Sequence, residues 1–199
     1  VYKRQSLLMS GNVFINDKRV EKAGQQVKTD SKIEIKGKTY PWVSRGGIKL
    51  EKAILEFKLN CDLIIALDIG ASTGGFTDVL LARGAKKIYA VDVGYGQLDW
   101  RLRQNERVIV KEKTNARFLT DQIIKDPLDA IVCDASFISL KKVLPSGLSL
   151  LKTKGWLAAL IKPQFEVGKG LVGKGGVVRD PELHQDCLLY TSDAADEGL

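Results

Sequence analysis

The feature that most constrains the fold is a short apolar run, Leu63–Leu67, that leads directly into a glycine-rich turn. An uninterrupted run of this length predicts a buried strand. The turn, Asp68-Ile69-Gly70-Ala71-Ser72-Thr73-Gly74-Gly75, opens a helical pattern over residues 74–82. Glycines permit a tight turn and a close approach of the backbone to a ligand, and the first turn of a helix offers unpaired N–H groups. The sequence therefore predicts a polar ligand site at the end of this strand.

The same alternation of strands and helices continues along the chain. Apolar runs and helical spacing predict strands over residues 87–91, 107–110, 128–133 and 156–161, and helices over residues 48–57, 98–103 and 141–151. Strands that alternate with helices favour a parallel, doubly wound α/β sheet with helices on both faces. Gly168–Gly176 is rich in glycine and basic residues, which predicts a mobile loop.

Residues 6–38 predict a separate small unit. Met9–Val20 has the pattern of a strand, a turn and a second strand, with Asn16-Asp17 as the turn residues. Residues 32–36 alternate polar and apolar side chains, as a half-exposed strand does. Residues 39–43 form the predicted linker, because Pro41 favours an extended segment before it. The second predicted domain covers residues 44–186.

The glycine-rich turn and Asp92 together predict a nucleoside ligand. Asp92 ends the next strand, about 20 positions after the glycines, where a carboxylate can accept hydrogen bonds from a ribose diol. The glycine spacing is not GxGxxG, which favours an adenosine-type cofactor without a pyrophosphate over a dinucleotide. Asn115 follows the third strand, and its amide could bind an adenine edge. The alternatives are a purely structural loop and a turn-forming asparagine.

Three charged residues fall beside the same predicted site. Lys49 follows Ser44-Arg45-Gly46-Gly47, whereas Asp134 and Lys162 each end a strand. A lysine in a semi-buried site can act as a base, and a neighbouring aspartate can orient it. A ribose hydroxyl is a reluctant nucleophile that needs both a base and good alignment with a methyl donor. Singly, each lysine is more often a solvated surface charge, so the hypothesis depends on the combination.

Four stretches carry a resemblance to a known family. They are Val43–Leu50, Asp68–Phe76, Cys133–Ser139 and Ile161–Gly168. On these motifs the chain resembles the TlyA family, sometimes labelled hemolysin, within the FtsJ-like ribose methyltransferases. The resemblance implies a Rossmann-like class I methyltransferase sheet that lacks its C-terminal strands, preceded by a partial alpha-L RNA-binding motif. It also implies S-adenosyl-L-methionine as cofactor and ribose 2′-hydroxyls of ribosomal RNA cytidines as substrates, in ribosomal subunits.

The resemblance also implies roles for individual residues. The family transfers the methyl group with a Lys-Asp-Lys-Glu tetrad, and Lys49, Asp134 and Lys162 match its first three members. The family glutamate is expected beyond the end of this sequence, and Glu166 belongs to a different motif. The expected cofactor-binding residues are Asp68, Gly70, Ala71, Ser72, Gly74, Gly75, Phe76, Asp92, Val93, Asn115 and Asp134. The expected RNA-binding residues are Lys18, Arg19, Arg45 and Lys169.

Composition and the chain ends complete the sequence-based expectations. The net charge of +7 suits a polyanionic partner such as nucleic acid. The three cysteines are widely spaced, so we expect no zinc site and a reducing cytoplasm. No apolar run reaches the roughly 20 residues of a membrane span. Residues 1–5 and 187–199 resemble translated sequencing-library adapters, which predicts artefactual ends. Two alternative functions remain: a non-catalytic RNA-binding protein and a membrane-active hemolysin.

Overall fold

In a computed structural model, the structure describes residues 11–20, 22, 24–35 and 40–196. The chain divides into two compact units, residues 1–41 and residues 42–199. The adapter-like segment predicted for residues 1–5 lies outside the described residues, as does residue 39 at the start of the predicted linker.

The described part of the first unit is a small antiparallel sheet. Its strands are β1 (Val13–Ile15), β2 (Lys18–Arg19) and β3 (Ile33–Ile35), in the order β2-β1-β3. Asn16 and Asp17 join β1 to β2 with φ angles of 50° and 64°. Two successive left-handed residues are typical of a two-residue hairpin turn, which asparagine and aspartate tolerate best. The predicted strand-turn-strand pattern is therefore confirmed.

The second unit contains a five-stranded parallel sheet within the described residues. The strands are β4 (Ile65–Ile69), β5 (Lys87–Val91), β6 (Val108–Lys111), β7 (Leu128–Cys133) and β8 (Leu151–Ala159), in the order β6-β5-β4-β7-β8. The central strands are buried and rich in isoleucine, leucine and valine, because helices cover a parallel sheet on both faces. The order reverses at β4, and open α/β sheets bind ligands at such a switch point.

Helices and 3₁₀ turns connect the strands. The helices are α1 (Gly46–Glu56), α2 (Gly75–Ala82), α3 (Trp100–Arg103), α4 (Leu140–Val143), α5 (Pro145–Leu148), α6 (Pro163–Glu166) and α7 (Pro181–Asp196). Single 3₁₀ turns cover Ala116–Phe118 and Lys169–Leu171. The alternating strands and helices confirm the predicted α/β fold.

The predicted helix over residues 141–151 is wrong in its extent. Two short helices, α4 and α5, stand in its place, and β8 begins at Leu151 instead of residue 156. Pro145 has no N–H to donate to the preceding turn, so it ends α4 and begins α5. Leu151 pairs with Leu128 at the start of β7. The leucine-rich segment 148–151 fits a helix or a strand equally well on pattern alone, and strand pairing decides between them.

The last described helix crosses the boundary predicted for the second adapter-like segment. Helix α7 continues from Pro181 to Asp196, and the Cys187 side chain is buried. The backbone therefore shows no break at residue 187. The assignment of residues 187–199 to an artefact stays a prediction.

Candidate active site

Two adjoining cavities lie where the central strands end. The register pairs Ile69 with both Val91 and Cys133, so the three residues that follow, Gly70, Asp92 and Asp134, leave the sheet side by side. One cavity contains Lys49 and Lys162, and we call it the lysine cavity; the other contains Asp92, and we call it the Asp92 cavity. Each has a volume of about 590 Å³. They share four lining residues, Gly70, Ser72, Asp134 and Ser136.

The glycine-rich turn forms the wall between the cavities. Gly70 has a φ of +79°, and a Cβ at this position would lie 3.0 Å from the Cα of Ala135. Only glycine combines this conformation with such a close approach of two backbones. Its N–H donates to the carbonyl of Val91, 2.9 Å away, which fixes the turn to the end of β5. Gly74 instead packs against Leu102 of α3 and is not among the described residues that line either cavity.

Asp92 holds the turn and the next loop in one arrangement. Its Oδ2 accepts a hydrogen bond from the N–H of Ser72 at 2.8 Å, and its Oδ1 accepts one from the N–H of Gly94 at 2.7 Å. Each carboxylate oxygen has a second lone pair, so both can also accept from a ligand hydroxyl. The carboxylate is therefore fixed in place at the cavity wall.

Val93 and Asn115 also line the Asp92 cavity. The Oδ1 of Asn115 accepts a hydrogen bond from the N–H of Arg117 at 3.1 Å and caps the 3₁₀ turn. Asn115 therefore has the turn-forming role that was the alternative to ligand binding, and it also lines the Asp92 cavity.

Asp68 places a buried carboxylate at the floor of the lysine cavity. Its side chain is only 1% exposed, and its Oδ2 accepts a hydrogen bond from the Thr77 hydroxyl at 2.7 Å. Among the described residues no donor reaches its Oδ1. Burial, opposed by the Thr77 hydrogen bonds and reinforced by the charges of Asp134 and Asp92, raises the pKa of Asp68 to about 7. A cationic ligand group would supply the missing partner.

Asp134 brings the two predicted lysines together. Lys162 Nζ lies 2.6 Å from Asp134 Oδ1, and Lys49 Nζ lies 3.5 Å from Asp134 Oδ2. The Lys162 side chain is 18% exposed, whereas that of Lys49 is 52% exposed. Lys162 Nζ also donates to the carbonyl oxygens of Asp134 and Ala135, at 3.2 and 2.8 Å, and to Ser136 Oγ at 3.0 Å. The half-buried Lys162 is thus held by several oxygens, and Lys49 is the more exposed of the two.

Small residues explain how Lys49 reaches Asp134. A Cβ at Gly75 would clash with Ser44 Oγ and lie 2.9 Å from the N–H nitrogen of Gly47. The start of α1 therefore packs directly on the start of α2. The N–H of Val43 donates to Asp78 Oδ2 at 2.8 Å, which fixes the chain just before α1. This close packing directs the first turn of α1 toward the end of β7.

The other predicted site residues fall into three groups. Arg45, Ala71 and Phe76 line the lysine cavity. Lys18 and Arg19 lie in the first unit and line a separate cleft there with Lys22 and Gln25. The side chain of Lys169 is outside the described part of the chain.

Several residues in the site were missed by the sequence analysis. Ser136 binds Lys162, Gln97 Oε1 accepts a hydrogen bond from Ser72 Oγ at 3.3 Å, and Arg117 lines the Asp92 cavity. Phe137 is 91% exposed with a φ of +64°, at the mouth of the same cavity. Ser136 and Phe137 lie inside a motif that the sequence analysis singled out. Gln97 and Arg117 carry no local signal.

Two observations apply to the residues that the structure describes. There, no group of three or more histidine, cysteine, aspartate or glutamate side chains could hold a metal ion. No helix in the same residues has the length and apolar character needed to cross a membrane.

Comparison with known proteins gives consistent matches. A family model described as FtsJ-like methyltransferase matches residues 42–191. A Bacillus subtilis relative, YqxC, is 48% identical over 94% of this chain and 66% of its own length. The 16S/23S rRNA (cytidine-2′-O)-methyltransferase TlyA of Mycobacterium tuberculosis is 51% identical over 78% of this chain and 58% of its own length. A solved Streptococcus thermophilus structure described as a hemolysin superposes with a TM-score of 0.79 at 41% identity, covering 98% of this chain and 72% of that one. The chain thus spans 66% of the length of the Bacillus subtilis relative and 58% of that of the Mycobacterium tuberculosis relative, less than two thirds of either.

Proposed function

The chain belongs to the FtsJ-like methyltransferase family, and from that membership we propose that it uses S-adenosylmethionine to methylate a ribose 2′-hydroxyl of ribosomal RNA, at a cytidine. The observation that carries the proposal is the contact of Asp134 with both Lys49 and Lys162 beside the Asp92 cavity. The Mycobacterium tuberculosis relative named for this reaction supports the choice of substrate.

The residues of the two cavities fit the proposed cofactor. The Asp92 carboxylate would accept from the ribose diol, Asn115 would lie along the base, and Gly70 lets the backbone approach the ligand. The Asp68 Oδ1 is a buried acceptor without a donor in the described structure, and an ammonium group would satisfy it. Bound S-adenosylmethionine would supply a methyl group on a positively charged sulfur.

The lysine cavity supplies the groups that a hydroxyl nucleophile needs. Lys162 Nζ, in its neutral form, would accept the proton of the 2′-hydroxyl while the oxygen forms its bond to the methyl carbon. Asp134 would orient Lys162 and offset the positive charge that develops on it. Lys49, on the outer side of the same carboxylate, would face the incoming RNA.

Basic residues in both units are proposed to bind the RNA backbone. Arg45 lines the lysine cavity, and Lys18 and Arg19 line a cleft in the first unit. Lysine and arginine neutralise phosphates and release counterions, so affinity for RNA should fall steeply as the salt concentration rises. A flat salt profile would count against these residues as the RNA contact.

Methyl transfer from labelled S-adenosylmethionine to ribosomal subunits tests the proposal. We expect Lys162→Ala to lower the rate about 10²- to 10⁴-fold, the usual contribution of a general base. Lys152→Ala is the matched control, because Lys152 also pairs with an aspartate, Asp129, at the opposite end of the sheet. Equal rates for the two variants would refute the role of Lys162. RNA binding without any transfer by the unsubstituted chain would favour the non-catalytic RNA-binding protein.

A further inference from the structure

Glu166 connects the two loops that carry Asp134 and Lys162. It ends α6, which begins directly after Lys162. Its Oε2 accepts a hydrogen bond from the Ser139 hydroxyl at 2.6 Å, and its Oε1 accepts one from the N–H of Leu140 at 2.9 Å. Both carboxylate oxygens are therefore used to attach the segment after β8 to the segment after β7.

The segment that Glu166 holds is strained and faces solvent. Phe137 has a φ of +64°, a conformation that costs a bulky residue roughly 1–2 kcal/mol. Phe137 is 91% exposed, and its ring packs beside the Phe165 ring, with the centroids 5.2 Å apart. Strain of this kind persists only where neighbouring contacts hold the backbone in place. The two hydrogen bonds to Glu166 fall two and three residues after Phe137, where they can do so.

The same segment supplies most of the oxygens around Lys162. Lys162 Nζ contacts the carboxylate and carbonyl of Asp134, the carbonyl of Ala135 and the hydroxyl of Ser136. These acceptors converge only while residues 134–136 keep their present path. Lys162, just before α6, thus contacts the first residues of the segment 134–140, and Glu166, at the end of α6, contacts its last two residues.

We propose that Glu166 is a positioning residue that holds residues 134–140 against α6 and so keeps Lys162 Nζ on the Asp134 carboxylate. We call the two hydrogen bonds from Ser139 and Leu140 to Glu166 the clamp. The existence of the clamp rests on geometry alone, and its effect on catalysis rests on the proposed function. Glu166 touches neither Asp134 nor Lys162 through its carboxylate, so it would act through the loop. Loss of the clamp would let the loop open and expose Lys162 without unfolding the sheet.

The chemical reactivity of Lys162 in the folded chain tests the clamp. Lysines are acylated under native conditions with a limiting amine-reactive ester, and the rate at each lysine is followed by mass spectrometry. Glu166→Ala removes two hydrogen bonds to a charged group, so we expect Lys162 to react about tenfold faster or more. Glu166→Gln keeps one oxygen for the Leu140 N–H and should give an intermediate rate.

A matched control separates positioning from general destabilisation. Asp126 also accepts two hydrogen bonds, from Lys87 Nζ at 2.7 Å and from the Tyr89 hydroxyl at 2.6 Å, but Lys87 starts β5 at the other end of the sheet. Asp126→Ala should lower the melting temperature and leave the Lys162 rate unchanged. An unchanged Lys162 rate in folded Glu166→Ala and Glu166→Gln would overturn the proposal.

Methyl-transfer kinetics separate failure of the clamp from failure of the proposed function. If the unsubstituted chain transfers methyl groups, Glu166→Gln should lower kcat with little change in the KM for S-adenosylmethionine. A rise in the KM for S-adenosylmethionine with an unchanged kcat would contradict the positioning role. If neither the unsubstituted chain nor a full-length relative that carries the family glutamate transfers a methyl group to RNA, the proposed function fails, and the acylation rates still decide whether Glu166 holds residues 134–140.

Discussion

Replacing Asp68 by asparagine is expected to remove a large pH dependence from the stability of the second unit. Asparagine has nearly the same shape and keeps an oxygen that can accept the Thr77 hydroxyl hydrogen bond, which is 2.7 Å long in the parent chain. It carries no charge at any pH. The variant therefore removes the cost of burying an ionised carboxylate and leaves the packing of β4 intact.

The size of the effect follows from the pKa of Asp68. Burial raises it from 3.8 to about 7, so about three pKa units separate the folded from the unfolded state. At about 1.36 kcal/mol per unit, the free energy of unfolding changes by roughly 4 kcal/mol. Because the folded chain binds the Asp68 proton more tightly than the unfolded chain, protonation of Asp68 stabilises the fold, and this stabilisation is fully present below about pH 4. It is lost as the pH rises to about 7.

Urea denaturation between pH 4.5 and 8 measures this effect. All three tryptophans, Trp42, Trp100 and Trp156, belong to the second unit, so their fluorescence reports on it. The variant should be more stable than the parent chain at pH 8, and this advantage should shrink toward pH 4.5. Other titrating groups contribute equally to both proteins and cancel in the difference. A difference that stays constant across this range would refute the reasoning.

Three further predictions concern the cofactor cavities. Binding of S-adenosylmethionine near pH 7 should release a fraction of a proton per site, because a cationic ligand group lowers the pKa of Asp68. Calorimetry in two buffers of different ionisation enthalpy measures the proton release, and equal binding heats in the two buffers would contradict the prediction. Asp92→Asn should weaken this binding about tenfold or more, because the amide nitrogen replaces one of the two acceptor oxygens and would face a backbone N–H group. Gly70→Ala should lower the free energy of unfolding by roughly 1–3 kcal/mol and weaken binding. Gly96→Ala is the control for backbone strain without a clash, because Gly96 has a φ of +71° and open space around the added Cβ. Equal losses of unfolding free energy in the two variants would rule out the predicted clash of the residue 70 side chain with Ala135.

Much of the fold could be predicted because its signals are local. The bounds predicted for β5 and β7 agree with the structure, since each is an apolar run of strand length. The first hairpin was predictable because Asn16 and Asp17 are residues that tolerate a left-handed turn. The division between α4, α5 and β8 was not, because an apolar run can pack as a helix or as a strand. Pairing with β7 makes that choice.

The candidate site was predictable in its residue types but not in its contacts. The turn at Gly70, the acid at Asp92 and the trio of Lys49, Asp134 and Lys162 were all named from the sequence and its family resemblance. Their roles remain predictions, but their convergence is a property of the structure. The strand register places Gly70, Asp92 and Asp134 in one row, and no local pattern encodes that register.

The sequence by itself determined where most of the strands and the glycine turn lie and which side chains could carry the chemistry. The tertiary structure alone decided that Lys162 is the enclosed lysine and Lys49 the exposed one, that Asp68 is a buried acid, and that Glu166 holds the neighbouring loop. The physical reason is that backbone conformation follows from a residue's near neighbours in sequence. Burial, ion pairing and pKa depend on neighbours that only the folded sheet brings together.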